Sequence, residues 1–124
     1  MKKKGRFFYL STCSTCQRII KEVGVKDTLF DMQDIKTEKI SPEQIDAMKS
    51  AAGSYESLFS RVALKYRALG LNNQTLGEKD YRRYILEEYT FLKRPVALIG
   101  NEVFIGNSPS NVAALKKKIA TLGK

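Results

Sequence analysis

Two cysteines, Cys13 and Cys16, are the only ones in the chain, and only two residues separate them. They follow a short apolar run and precede a segment of helical periodicity that ends at Gly24. A strand, a loop and a helix are therefore expected to meet at Cys13. Because the N–H groups and the dipole at a helix start favour negative charge, the sequence predicts a thiolate nucleophile at Cys13.

The spacing of the cysteines leaves open whether they form a disulfide. Side chains three positions apart on a helix have Cβ atoms about 5–6 Å apart, whereas a disulfide prefers about 3.8 Å. Cys13 can pair with Cys16 only if Cys13 lies in the loop or the first turn, and such a bond would be reversible. The alternative interpretation is that Cys16 is a small core side chain and Cys13 an inert loop thiol.

The composition is typical of a globular protein, with 43% hydrophobic and 28% charged residues. The 124 residues are expected to form a single domain. The chain contains no histidine, which excludes Cys-His and Ser-His catalysis. Two cysteines without histidine also make a poor zinc site, so neither a metal nor a bound cofactor is expected.

The net charge of +9 suits acidic partners such as oxyanions, nucleic acids or acidic protein surfaces. Alternatively, Lys2–Lys4 and Lys116–Lys118 are solvated ends that together hold six of the 22 basic residues. No basic stripe is interleaved with aromatic side chains, which argues against a nucleic-acid surface.

The apolar runs are all much shorter than the ~20 residues that span a bilayer, so no membrane association is expected. The basic start is followed by the apolar run Phe7–Leu10, which is too short for a secretion signal. A reducing cytoplasm is the compartment that fits. In the cytoplasm, a pair of closely spaced cysteines is more often catalytic than structural.

The hydrophobic pattern predicts an α/β protein with the order β-α-β, several helices, then β-β-α. The first strand–helix–strand unit should be parallel and right-handed. The predicted strands are Arg6–Leu10, Thr28–Met32, Pro95–Ile99 and Glu102–Ile105, and the first and last helices span about Ser14–Val23 and Ser108 to Gly123. This order is that of a thioredoxin-like domain over residues 1–124, with a mixed four-stranded sheet and a helical insertion at about 41–92.

Local signals within the predicted insertion mark the helix boundaries. Ser41-Pro42-Glu43-Gln44 combines an N-cap serine, a proline at the first helical position and a capping box, and Gly53 supplies the stop. Further short helices are expected near Ser54–Phe59 and Leu64–Leu69. Another helix is expected to start within Thr75–Glu78 and to have its apolar side at Tyr81, Ile85 and Tyr89. Gly100-Asn101 is a strong signal for a hairpin between the last two strands.

With these elements placed, the sequence resembles the arsenate-reductase-like family of the thioredoxin superfamily, which also includes the Spx transcriptional regulators. The resemblance covers nearly the whole chain and depends on landmarks in a fixed order. They are the Cys13–Cys16 motif after the first strand, Lys65–Leu71 in the insertion and Leu92–Val96 before the hairpin.

The resemblance implies that Cys13 is the nucleophile and that the Arg94-Pro95 peptide is cis and lies beside it. Arg94 matches one oxyanion-binding arginine of the family and Arg61 is a candidate for another, whereas the counterpart of a third, near Ser108, is not an arginine. Arg94, with Arg61 or Arg18, would hold Cys13 as a thiolate and attract an anionic substrate. The alternative is that these arginines form ordinary surface ion pairs.

Two functions follow as expectations. The first is a thiol-dependent oxidoreductase, either arsenate-reductase-like or glutaredoxin-like, in which Cys13 attacks and Cys16 resolves the mixed species. Its substrate would be a small thiol or oxyanion or a protein disulfide, and glutathione or another thiol would be the donor. The second is an Spx-like regulator that binds RNA polymerase and uses the cysteine pair as a redox switch.

Overall fold

The structure, a computed structural model, describes residues 3–122. The strands are β1 (Gly5–Tyr9), β2 (Phe30–Asp34), β3 (Val96–Ile99) and β4 (Glu102–Ile105). The helices are α1 (Ser14–Val23), α2 (Pro42–Ala52), α3 (Leu64–Ala68), α4 (Glu78–Glu87) and α5 (Pro109–Leu122), with short 3₁₀ turns at Glu56–Leu58, Leu71–Asn73 and Tyr89–Phe91. No helix within residues 3–122 has the length and apolar character needed to cross a bilayer.

The described residues fall into two compact units. The sheet unit contains the residues up to Glu38 together with those from Arg94 onwards, and the helical unit contains Lys39–Lys93. The cysteines and Arg94 belong to the sheet unit, whereas Arg61 belongs to the helical unit.

The sheet unit is built on four strands in the order β2-β1-β3-β4. β1 runs parallel to β2 and antiparallel to β3, and β3 and β4 form the predicted hairpin. The predicted fold class, a thioredoxin-like mixed four-stranded sheet, is confirmed. β1 has neighbours on both sides, so the loop that leaves it begins at the centre of the sheet.

Helices α1 and α5 pack on the sheet through one apolar core. Ile19 and Val23 of α1 meet Leu115 and Ile119 of α5 over Phe7 of β1, and all are buried. α1 begins and ends where the sequence predicts, because its buried side chains recur at helical spacing. Gly24 ends it with a φ of 77°, a left-handed conformation that glycine adopts without steric cost.

The observed strand boundaries differ from the predicted ones near β1 and β2. β1 ends at Tyr9 rather than Leu10, because the Leu10 carbonyl accepts a turn hydrogen bond from the Cys13 N–H. β2 spans Phe30–Asp34 rather than Thr28–Met32. The N–H groups of Leu29 and Phe30 both bind the Lys26 carbonyl, so the turn extends further than the hydrophobic pattern suggests.

The second half of β2 contains the polar residue Gln33, which is buried in the sheet. Its side chain accepts a hydrogen bond from Arg6 Nη1 (3.1 Å) and donates one to the Glu38 carbonyl (3.1 Å). A buried amide needs such partners to offset the loss of water. The predicted end of the last helix at Gly123 lies outside the described residues.

The helical unit begins with the predicted capping box. Ser41 Oγ accepts from the Gln44 N–H (3.1 Å), and Gln44 Oε1 accepts from the Ser41 N–H (3.0 Å). At the centre of the unit, the buried Phe59 ring stacks on Phe91 with centroids 5.0 Å apart and contacts Tyr81 at 4.9 Å.

We expect Ser41→Ala to lower the free energy of unfolding by about 1 kcal/mol, because the N–H groups at the start of α2 lose their side-chain acceptor. Ser50→Ala is the matched control, since Ser50 lies at an exposed position of the same helix. Its effect should stay within about 0.5 kcal/mol. Chemical denaturation followed by circular dichroism measures both; equal losses would show that the capping box contributes little.

Candidate active site

Cys13 lies where the loop after β1 becomes α1. Its N–H donates to the Leu10 carbonyl (3.0 Å), and its own carbonyl accepts the first helical hydrogen bond, from the Gln17 N–H (3.1 Å). Its backbone is extended, so Cys13 is the N-cap residue of the helix. The side chain is half-buried. A reagent can therefore reach a sulfur that sits at the positive end of the helix dipole.

The loop that carries Cys13 is held from β2 and from α1. Ser11 Oγ donates a hydrogen bond to the carboxylate of Asp34, and Gln17 Nε2 donates to the Ser11 carbonyl (3.1 Å). The Ser11 hydroxyl holds the pKa of Asp34 below its ordinary value. Neither Asp34 nor Ser11 is predicted as a functional residue from the sequence. The end of β2 lies beside this loop because Tyr9 pairs with Asp34 in the parallel register of β1 and β2.

The pKa of Cys13 results from opposing effects. Partial burial raises it, but the backbone N–H of Cys16, the Cys16 thiol and the Thr15 N–H together lower it more, with a smaller contribution from the charge of Arg94. The net pKa lies below that of an ordinary cysteine. The backbone donors of Cys16 and Thr15 belong to the first turn of α1, so the helix start is a chief cause of the shift toward the thiolate form.

The second thiol, that of Cys16, has the opposite character. It is fully buried on the inner face of α1. Burial raises the pKa of Cys16 to about 11, and the negative charge of Cys13 adds to that rise. At neutral pH, Cys16 is therefore a protonated thiol that can donate a hydrogen bond to the Cys13 thiolate. Both cysteines are free in this structure.

Arg94 supplies a positive charge to the sulfur pair. Its peptide bond to Pro95 is cis, as the family resemblance implies. Pro95 is buried at the start of β3, where its carbonyl accepts from the Gly106 N–H (2.8 Å). Arg94 Nη1 is buried and has no hydrogen-bond partner among the described residues. A buried, unpaired guanidinium nitrogen has a free donor for a carboxylate or an oxyanion.

The structure gives the other two candidate arginines different partners. Arg18 is exposed and lies 3.7 Å from Glu22, one turn further along α1. The arginine among the main causes of the lowered pKa of Cys13 is Arg94, not Arg18. Arg61 binds Glu56 (2.7 Å) and donates to the Tyr81 hydroxyl (2.9 Å), all within the helical unit. The structure therefore groups Cys13, Cys16, Arg94 and Pro95 in the sheet unit.

A model of the ArsC family matches residues 8–115, which include the cysteine pair, Arg94 and Pro95. No curated protein matches the chain with significance.

Solved structures share the fold at low sequence identity. An ArsC family related protein from Bacteroides fragilis is 21% identical, with a TM-score of 0.74 and coverage of 90% of this chain and 97% of its own. An arsenate reductase from Vibrio cholerae is 13% identical, with a TM-score of 0.73 and coverage of 93% and 99%. An arsenate reductase related protein from Brucella melitensis is 19% identical, with a TM-score of 0.67 and coverage of 92% and 95%.

Arg94→Gln should raise the pKa of Cys13, because a positive charge near the thiolate is lost. We expect alkylation of Cys13 by iodoacetamide to slow about two- to tenfold at neutral pH and the midpoint of the rate against pH to move upward. Mass spectrometry of the modified peptide separates Cys13 from Cys16. Arg18→Gln is the matched control and should leave the curve unchanged; a shift as large as that of Arg94→Gln would contradict the assignment.

Proposed function

The chain belongs to the ArsC family, and from this membership we propose that it is a thiol-dependent reductase with Cys13 as nucleophile and Cys16 as resolving cysteine. The observation that carries the proposal is the accessible Cys13 sulfur with its lowered pKa, acted on by the charge of an arginine that has an unpaired buried nitrogen. We place this chemistry in the reducing cytoplasm, where a dithiol is regenerated.

In the first step, the Cys13 thiolate attacks one sulfur of a disulfide substrate. A new S–S bond joins Cys13 to that half of the substrate, the original S–S bond breaks, and the other half leaves as a thiolate that takes up a proton. The thiolate form of Cys13 is needed because a protonated thiol is a poor nucleophile. The helix start and Arg94 therefore favour the reactive thiolate form of Cys13 before any substrate binds.

In the second step, Cys16 attacks the sulfur of Cys13 and releases the bound half of the substrate as a thiol. This requires Cys16 to lose its proton, which its pKa of about 11 opposes while Cys13 is a thiolate. Formation of the mixed disulfide removes the negative charge from Cys13, which is one cause of that raised pKa. Cys16 thus becomes a better nucleophile at the moment when it is needed.

The product of resolution is a Cys13–Cys16 disulfide, which an external thiol must reduce. Two equivalents of glutathione or a similar thiol would restore both protein thiols and leave as the oxidised dimer, so that sulfur and electrons balance. The N-cap position of Cys13, outside the regular helix, supports the proposed pairing with Cys16.

The substrate that we favour is an anionic disulfide, such as a mixed disulfide of glutathione. Arg94 would bind a substrate carboxylate through its unpaired nitrogen. Ser108, near the position of the third family arginine, caps α5 by accepting from the Asn111 N–H (3.3 Å). With fewer guanidinium groups for an oxyanion, arsenate should be the poorer substrate.

We expect Cys13→Ser to abolish reduction of a glutathione mixed disulfide, with a loss of at least about 10³-fold, because the nucleophile is removed. Cys16→Ser should instead accumulate a glutathione adduct on Cys13, which intact-mass spectrometry detects. Arsenate is assayed in parallel with the same donor. Unchanged turnover of both substrates by Cys13→Ser would remove the proposed mechanism.

The Spx-like alternative is distinguished by binding rather than turnover. Purified RNA polymerase is immobilised and challenged with the reduced and the oxidised protein. Under the reductase proposal, neither form binds. Redox-dependent binding, together with no turnover of either substrate, would replace the reductase by a regulator.

A further inference from the structure

Two large apolar side chains in the helical unit are almost completely exposed. Val62 is 90% and Leu64 is 91% accessible, and they flank Ala63 immediately before α3. Single exposed apolar side chains are common on protein surfaces, but two large ones that are only two positions apart and almost completely exposed are unusual. Neither side chain serves the core of its own unit.

The short helix α3 continues this exposed surface. None of its five residues is fully buried, whereas a helix normally buries one apolar stripe. The unit holds α3 partly through Tyr66, whose ring meets Phe59 at 6.0 Å. Leu64, Arg67 and Ala68 are spaced three and four residues apart, so they share one face of the helix, and all three are exposed. We call Val62, Leu64, Arg67 and Ala68 the 62–68 surface.

The 62–68 surface carries one positive charge, that of Arg67. The sequence from Ser57 to Gly77 contains three basic residues and no acidic one. Glu56 pairs with Arg61 (2.7 Å) and Glu88 with Lys65 (3.7 Å). Arg67 forms no ion pair with any residue between 3 and 122. A cation without an internal partner therefore lies beside the exposed leucine.

We propose that the 62–68 surface is a docking site for an acidic protein segment that carries apolar side chains. Its apolar residues would cover Val62 and Leu64, and its carboxylates would pair with Arg67. This inference goes beyond the proposed reductase chemistry and does not depend on Cys13.

Charge and length favour this occupant over two others. A second copy of the chain would bring the same basic segment against itself at a net charge of +9 per chain, which like-charge repulsion opposes. A lipid surface calls for a helix with a longer apolar face than five residues offer.

The test uses a short synthetic peptide of glutamates interrupted by leucines, titrated into ¹⁵N-labelled protein. We expect amide shift changes that centre on residues 62–68, and about tenfold weaker binding by the double variant Val62→Ser with Leu64→Ser. Both positions are exposed, so the double variant should fold, and its dispersed amide spectrum verifies this. Arg67→Glu should weaken binding at least as much.

Matched controls separate a specific site from general attraction to a basic protein. Lys117→Glu removes an exposed charge elsewhere, and Cys13→Ser removes the nucleophile; both should bind the peptide as the wild type does. A peptide with serines in place of the leucines should bind about tenfold more weakly.

Three outcomes would overturn the proposal. One is peptide binding that survives loss of Val62 and Leu64. Another is sedimentation with phosphatidylglycerol vesicles that depends on these side chains while the peptide does not bind. The last is a concentration-dependent dimer, seen by analytical ultracentrifugation, that the double variant abolishes.

Discussion

The chemistry of the sheet unit depends on the N–H groups at the start of α1 and their effect on the sulfur of Cys13. A thiol there is half-buried, and burial by itself raises the pKa of Cys13. The N–H groups of Cys16 and Thr15 reverse that effect because they point toward the helix start, where no backbone carbonyl can accept from them. The same unsatisfied donors that weaken a helix end thus stabilise a thiolate.

The two cysteines share one loop and one helix, yet their environments push their pKa values apart. Cys13 is reachable and its pKa is lowered, whereas Cys16 is buried and its pKa is raised to about 11. The two thiols are coupled, since each appears among the causes of the other's shift. Such a division fits the attacking and the resolving roles that we propose for Cys13 and Cys16.

Much of the fold could be predicted from the sequence, because many signals are local. Gly24, the Ser41 capping box and the Gly100-Asn101 turn each mark an element boundary within a few residues, and the structure confirms all three. The order of elements then limits the topology to a thioredoxin-like one. The cysteine pair could also be identified from the sequence, since both residues and their helix lie in one short stretch.

What the sequence could not show are contacts between distant residues. The Ser11–Asp34 hydrogen bond joins residues of different elements, and it depends on the register of two strands. Arg61 likewise binds Glu56 and Tyr81 because of the packing of the helical unit. The spacing of these residues in the sequence does not indicate the contacts. Whether an arginine faces a substrate or an acidic neighbour is therefore decided by tertiary structure, which residue type and motif do not specify.

Buried Gln33 has a consequence for the position of the loop that bears Cys13. A slip of β2 by a single residue would turn every side chain to the opposite face of the sheet. It would break the bonds of Gln33 to Arg6 and to the Glu38 carbonyl and would remove Phe30 from the core that it shares with Phe7 and Ile19. The hydrogen bonds of buried Gln33 thus hold β2 in register, and the next residue, Asp34, is fixed where its carboxylate accepts a hydrogen bond from Ser11.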